Sequence, residues 1–210
     1  MATTKVDPVL FDTTGTASSS TFLRGDGAWT AIAGAGRTLI STQTVALGDT
    51  ASSISVTSGI DSTYNVYEWV FTEIETSVNN VKCHIQCYTG SASLETGSIY
   101  TFHYNVASGD GSGYNGINAN SGTGGIEVQR ASGDQVGEVG ALAFKLFNPA
   151  GTAHYKVVDY TGGHHNCNAF YQACQGGGVF ELTTAVTGLK IFPDSGNIGA
   201  TAALYGFAKS

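Results

Sequence analysis

The chain has 210 residues, with 29 Gly, 3 Pro, 12% charged side chains and a formal net charge of −7. That length holds one large domain plus a tail, and 10 Tyr, 10 Phe and 2 Trp argue against a disordered chain, which would carry more charge and fewer aromatics. The glycines have no three-residue period, which excludes collagen; nine Lys and Arg without a run argue against nucleic acid; and no apolar run is long enough for a transmembrane helix.

Residues 1–37 read as an extended N-terminal attachment arm. They hold Pro8, a small-residue tract from Ala17 to Ser20, and Gly25, Gly27, Gly34 and Gly36. The apolar residues Val9, Leu10, Phe11, Phe22, Leu23, Trp29 and Ile32 come in short bursts that cannot form a core alone, so the arm is expected to pack on a neighbour. Trp29 is the expected anchor, because an indole buries a large apolar area. The opening MATTKVDPVLF lacks the apolar core of a signal peptide, which predicts assembly in a cytoplasm.

Residues 38–210 are expected to form the domain, and the pattern from Arg37 onward is β. RTLISTQTVAL and SISVT alternate. A turn at Gly59 to Ser62 leads to YNVYEWVFTEIE, dense in β-branched and aromatic residues. Strict alternation there puts Tyr64, Val66, Glu68, Val70, Thr72 and Ile74 on one face and Tyr67, Trp69, Phe71 and Glu73 on the other. Val78-Asn79-Asn80 turns the chain into KCHIQCYTG, and SIYTFHYNV follows. Residues 107–125 hold seven glycines and read as a long loop, or as two loops around a short strand at Tyr114 to Ile117. GGIEVQR, EVGALAFKLFN and AHYKVVDYTG read as strands, with a turn at Pro149 to Thr152. Gly162 to Gly178 fits neither strand nor loop cleanly. VFELTT, TGLKIFPDSGN and ATAALYGFA close the chain, with a hairpin turn at Asp194 to Asn197. About nine strands without a helical period predict an all-β fold, a β-sandwich or jelly roll.

The four cysteines are Cys83, Cys87, Cys167 and Cys174. Cys83 and Cys87 share a strand face with Ile85, which predicts buried thiols; the pairings stay open, and a cytoplasmic origin favours free thiols. His164, His165, Cys167 and Cys174, with Cys83, His84 and Cys87, have the chemistry of zinc ligands, but no CxxC or HxxxH occurs and adjacent histidines on a strand point oppositely. The alternative is a ring of equivalent histidines on a threefold axis. No metal or other cofactor is expected. For catalysis, no GxSxG elbow is present, and GDGSG and GTGG lack the Lys-Ser/Thr of a phosphate loop. Glu73 and Glu75 share a strand face, whereas Asp110, Asp134 and Glu138 lie in or beside loops. No catalytic residue and no enzyme is expected. Tyr114, Phe170 and Tyr171, in Gly-rich surface loops, are candidates for stacking on sugars; packing against the domain is the other reading.

The segment Thr14 to Ile32, TGTASSSTFLRGDGAWTAI, resembles a short module of bacteriophage tail-fibre and virion-surface proteins, roughly SSTFLRGDGTW. In that family the module lies between an attachment segment and a distal domain. YNVYEWVFTEIETSVNNVKCHIQ and the ending TGLKIFPDSGNIGATAALYGFAKS resemble an aromatic-rich strand pair and a closing hairpin of the same domains. The family implies a homotrimer with an N-terminal arm and a C-terminal jelly-roll-like β-sandwich. Phe22, Leu23, Arg24, Asp26 and Trp29 are then candidate attachment or trimer contacts; Arg24-Gly25-Asp26 spells the integrin-binding tripeptide, but its flanks fit the phage module. Only 13 residues precede the segment, which favours a short fibre, a fibre tip or a head-decorating protein over a long fibre.

The expectation is a non-enzymatic virion structural protein, a short trimeric fibre or adhesin on the particle surface. The alternative is a capsid decoration (cement) protein whose arm clamps neighbouring capsid subunits. Expected partners are further copies of the chain, a tail, baseplate or major capsid protein bound through the arm, and a host surface glycan or protein. Neither nucleic acid nor membrane insertion is expected.

Overall fold

The structure is a computed structural model, and it describes residues 21–23, 28–31, 36–48, 51–111 and 113–207. The chain divides into two units, Met1–Ala35 and Gly36–Ser210. In the first, β1 (Thr21–Leu23) pairs antiparallel with β2 (Trp29–Ala31), placing Phe22 opposite Thr30 and Leu23 opposite Trp29. Arg24 and Asp26 lie outside the described residues.

The second unit is all β. Its strands are β3 (Arg37–Val45), β4 (Ile54–Val56), β5 (Val66–Thr76), β6 (Val81–Thr89), β7 (Ser93–Leu94), β8 (Tyr100–Ser108) and β9 (Gly113–Gly122), followed by β10 (Ile126–Ser132), β11 (Gly140–Phe147), β12 (Lys156–His165), β13 (Tyr171–Phe180), β14 (Val186–Pro193) and β15 (Ile198–Phe207). They form an eight-stranded sheet in the order β3-β15-β5-β11-β12-β13-β8-β9 and a smaller sheet in the order β10-β6-β14-β4, with β7 on β6. The two sheets pack as a sandwich. The small sheet supplies Ile54, Cys83, Ile85, Cys87, Ile126 and Ile191 to the core, and the large one supplies Tyr67, Phe71, Tyr100, Tyr104, Phe144 and Phe180.

Three expectations are corrected. The second unit has more strands than the nine expected, because the glycine-rich stretches are themselves strands. Of the two readings of residues 107–125, the one with a strand at Tyr114 to Ile117 is the nearer, but the strand is longer: β8 runs to Ser108, and β9 pairs with it from Tyr100 opposite Gly122 to Ser108 opposite Gly113, with one register shift between Tyr100 and Phe102. Residues 162–178 hold the end of β12 and most of β13, which pair without a register break from Lys156 opposite Phe180 to His165 opposite Tyr171. The third correction concerns β5. Tyr67, Trp69 and Phe71 face the core as alternation demands, but Glu73 has a positive φ of 56°. The pairing with both neighbours shifts there. This bulge adds one residue to the strand and turns Ile74, not Glu73, into the core.

One inward row explains the glycines of β13. Leu204, Trp69, Phe144, Tyr160, Gly176 and Tyr104 are successive register partners across six strands. A Cβ on Gly176 would strike the Tyr104 side chain and lie 2.6 Å from the His103 carbonyl oxygen. The missing side chain leaves room for the Tyr104 and Tyr160 rings, whose centroids are 6.0 Å apart. Gly178 does the same beside Phe102 and Ile126.

Candidate functional site

Chemistry-bearing side chains gather in two places, one between the sheets and one on the outer face of the large sheet. The inner group centres on Glu127 of β10, which is 4% exposed. Its carboxylate accepts hydrogen bonds from the Tyr104 hydroxyl and from Arg130 Nε and Nη2, and Lys82 Nζ stands 3.8 Å away. Tyr160 donates to the Glu127 backbone carbonyl at 2.8 Å. Burial alone would raise the carboxyl pKa, but the hydrogen bonds from Arg130 and Tyr104 and the charges of Arg130 and Lys82 outweigh it and hold it below the ordinary range. Burial pushes the phenols of Tyr104 and Tyr160 up. Tyr104 and Tyr160 belong to the large sheet and Glu127 to the small one, so the cluster ties the two layers together.

His164 extends this region. It is 2% exposed, and its Nε2 lies 2.7 Å from the Arg130 carbonyl oxygen. A carbonyl only accepts, so Nε2 carries the proton and Nδ1, which has no partner, presents a lone pair. Burial lowers the pKa to about 4, despite the Arg130 carbonyl, which favours the charged form. His165 is half-buried, so the adjacent pair points to different surroundings as alternation requires. Among the described residues no three His, Cys, Asp or Glu side chains gather as a metal site. All four cysteines are free, and Cys83 and Cys87 are fully buried beside Ile85.

The outer face is built differently. Ala143, Thr161, Gln175, Asn105 and Gly116 are successive register partners across β11, β12, β13, β8 and β9. The adjacent row is Ala141, Gly163, Ala173, Ala107 and Tyr114. From β11 to β8 these two rows hold only small or uncharged side chains. Tyr171 rises beside them, 60% exposed. Its ring lies across Gly163: a Cβ there would strike the hydroxyl and sit 2.8 Å from Cζ. Two shallow grooves flank the ring, about 420 Å³ toward β5 and β11 and about 250 Å³ toward β8.

The candidate residues thus part company. Tyr171 and Tyr114 are strand residues, not loop residues; Tyr114 falls in the register row that crosses Gly163, and Tyr171 borders it. Phe170 stands in the short connection between β12 and β13, 41% exposed. Phe22, Leu23 and Trp29 belong to the first unit. Sequence reasoning misses Thr161, Gln175, Asn105 and Gly163, because each is an ordinary outward position on its own strand. It also misses Glu127, for which only an acidic residue inside an apolar strand, IEV, gives a signal.

No family model, no curated protein and no solved structure matches this chain. The two sites therefore stand on their geometry alone.

Proposed function

We propose that this chain is a non-enzymatic structural protein of a bacteriophage virion, a short homotrimeric fibre or adhesin on the particle surface. The observation that carries the reading is the segment Thr14 to Ile32, with its order of Ser tract, Phe-Leu-Arg-Gly-Asp-Gly and Trp, placed ahead of an all-β domain. The shape of the domain supports it. Its Glu127 cluster is committed to joining the sheets, while the part of its outer face around Tyr171 is uncharged and accessible, which suits adhesion. The arm joins the protein to the virion, through a tail, baseplate or capsid protein, and the domain meets the host surface.

Immunogold labelling of intact particles with antibody to residues 38–210 tests this. Label at the tail or its tip is the expected result, with purified protein sedimenting at three times 21.6 kDa. Label spread evenly over the capsid replaces the adhesin with a cement protein. Absence of the protein from purified particles overturns the virion assignment.

A further inference from the structure

We propose that the outer face around Tyr171 binds a neutral oligosaccharide, with the Tyr171 ring as the stacking platform and Thr161, Gln175 and Asn105 as the hydrogen-bonding row. The proposal gives the adhesin reading its ligand class, and rests on that reading for its biological setting.

A pyranose ring has an apolar C–H face and a rim of hydroxyl groups that both donate and accept. Its counterpart is an exposed aromatic face beside neutral groups of the same double character. Tyr171 offers that face, and Gly163 makes room for the ring to lie along the sheet, since a side chain at 163 would strike it. A tyrosine has only two side-chain torsions to order, so it loses little entropy on binding. Thr161, Gln175 and Asn105 are all exposed and line the groove beside Tyr171. Each amide has an oxygen that accepts and an NH₂ that donates, and the threonine hydroxyl does both. They are consecutive register partners on β12, β13 and β8, so strand spacing sets them in a line roughly 10 Å long.

The ligand is longer than one sugar. A third groove of about 400 Å³ continues from this row over Gly177, between His103 and Asn118. With the two grooves at Tyr171 it makes a run across β5, β11, β12, β13, β8 and β9. None of the three is lined by Asp, Glu, Lys or Arg. Asp159, opposite Gly177 in register, is balanced by Lys145, its partner on β11, so the row beside the grooves carries no net positive charge to hold an anionic sugar. Uncharged linings match neutral glycans better than sialylated, sulfated or phosphorylated ones.

The test uses the purified full-length protein and a panel of neutral hexasaccharides of glucose, mannose, galactose and N-acetylglucosamine, with sialylated and sulfated counterparts. Binding is read by saturation-transfer NMR and by affinity electrophoresis. At least one neutral saccharide should bind, with Tyr171→Ala weakening it about tenfold or more and Tyr171→Phe by less than about threefold. Thr161→Val combined with Gln175→Ala should weaken it severalfold, and Val157→Ala, exposed elsewhere on the same sheet face, should leave it unchanged. Matching thermal melts show that each variant is folded. Lack of binding to every neutral sugar at about 10 mM, preference for an acidic one, or binding indifferent to Tyr171→Ala overturns the proposal. Its failure differs from failure of the adhesin reading: a virion protein that binds no sugar sinks only the site, and a sugar-binding protein absent from particles sinks only the virion assignment.

Discussion

The Tyr104 hydroxyl donates a hydrogen bond to the Glu127 carboxylate across the space between the two sheets. Both residues are buried, so the bond is shielded from water, and its loss leaves a charged acceptor short of a partner. Tyr104→Phe should cost about 2 kcal/mol, the range for a hydrogen bond to a charged group. Urea unfolding should show a lower midpoint with an unchanged slope. The double-mutant cycle with Glu127→Gln should return a coupling of about 1 kcal/mol or more. A coupling near zero would show that the two residues are merely adjacent.

Acid should weaken the fold in two stages. His164 titrates at about 4 in the folded protein against 6.5 for the free side chain, because burial disfavours its charged form. The unfolded chain therefore binds more protons between those values, so stability is complete above about pH 6.5 and falls as pH drops toward 4, by about 3 kcal/mol. His84, also depressed by burial, acts in the same direction. Below that window the Glu127 contribution goes: its pKa is held under 4.5, so its stabilisation is present above that value and lost as pH falls through the folded pKa. Denaturant unfolding from pH 7 to 3 should show both stages, and His164→Gln should flatten the first. An unchanged profile in that variant would remove His164 from the account.

The thiols should react unequally. Burial pushes Cys83, Cys87 and Cys174 up to about 12, which leaves almost no thiolate at neutral pH. Cys167 is half-buried, and its pKa is raised by burial and by the charge of Glu138. Iodoacetamide should label Cys167 in the native protein and the other three only after denaturation, as peptide mass spectrometry would read. Native labelling of Cys83 or Cys87 would mean that the sandwich opens there.

Gly176→Ala should be a harsh single-methyl change. The new Cβ meets backbone, 2.6 Å from the His103 carbonyl oxygen and 2.7 Å from Tyr104 Cα, so no flexible side chain can yield. A cost of about 3 kcal/mol is expected, at the upper end for overpacking, and a fall in Tm of roughly 10 °C. Gly48→Ala, where nothing lies within 4 Å of the added carbon, is the control and should leave Tm nearly unchanged.

What was legible in the sequence follows from where side chains carry the signal. β6, β11 and β14 alternate because one face meets the core, and the turns at Asn80 and Gly196 take the positive φ that their sequences favour. Only the centre of β9, Tyr114 to Ile117, is legible, and β13 is not, because runs of glycine signal turns, whereas in β13 they make room for the rings next to them. The bulge at Glu73 was hidden because strict alternation continues through it in sequence, and only the pairing breaks. Tyr171 was found by its chemistry and misplaced in a loop. Its companions Thr161, Gln175 and Asn105 come from three strands, and only register brings them into line.

The glycines of β13 also bear on how the sheet is assembled. On its inward side the strand brings the apolar side chains of Cys174 and Phe180, with Gly176 and Gly178 between them. It thus has little of its own to attract β8, its long-range partner, and that pairing depends on Tyr104 and Phe102 already standing in the core. The β8–β9 hairpin lies on one side of β13 and the strands β3, β15, β5, β11 and β12 on the other, and the glycine strand is the seam between them. Such a seam should close late in folding, after the rings on either side have taken their places, and native-state amide exchange should show the large sheet opening along it as two pieces rather than strand by strand.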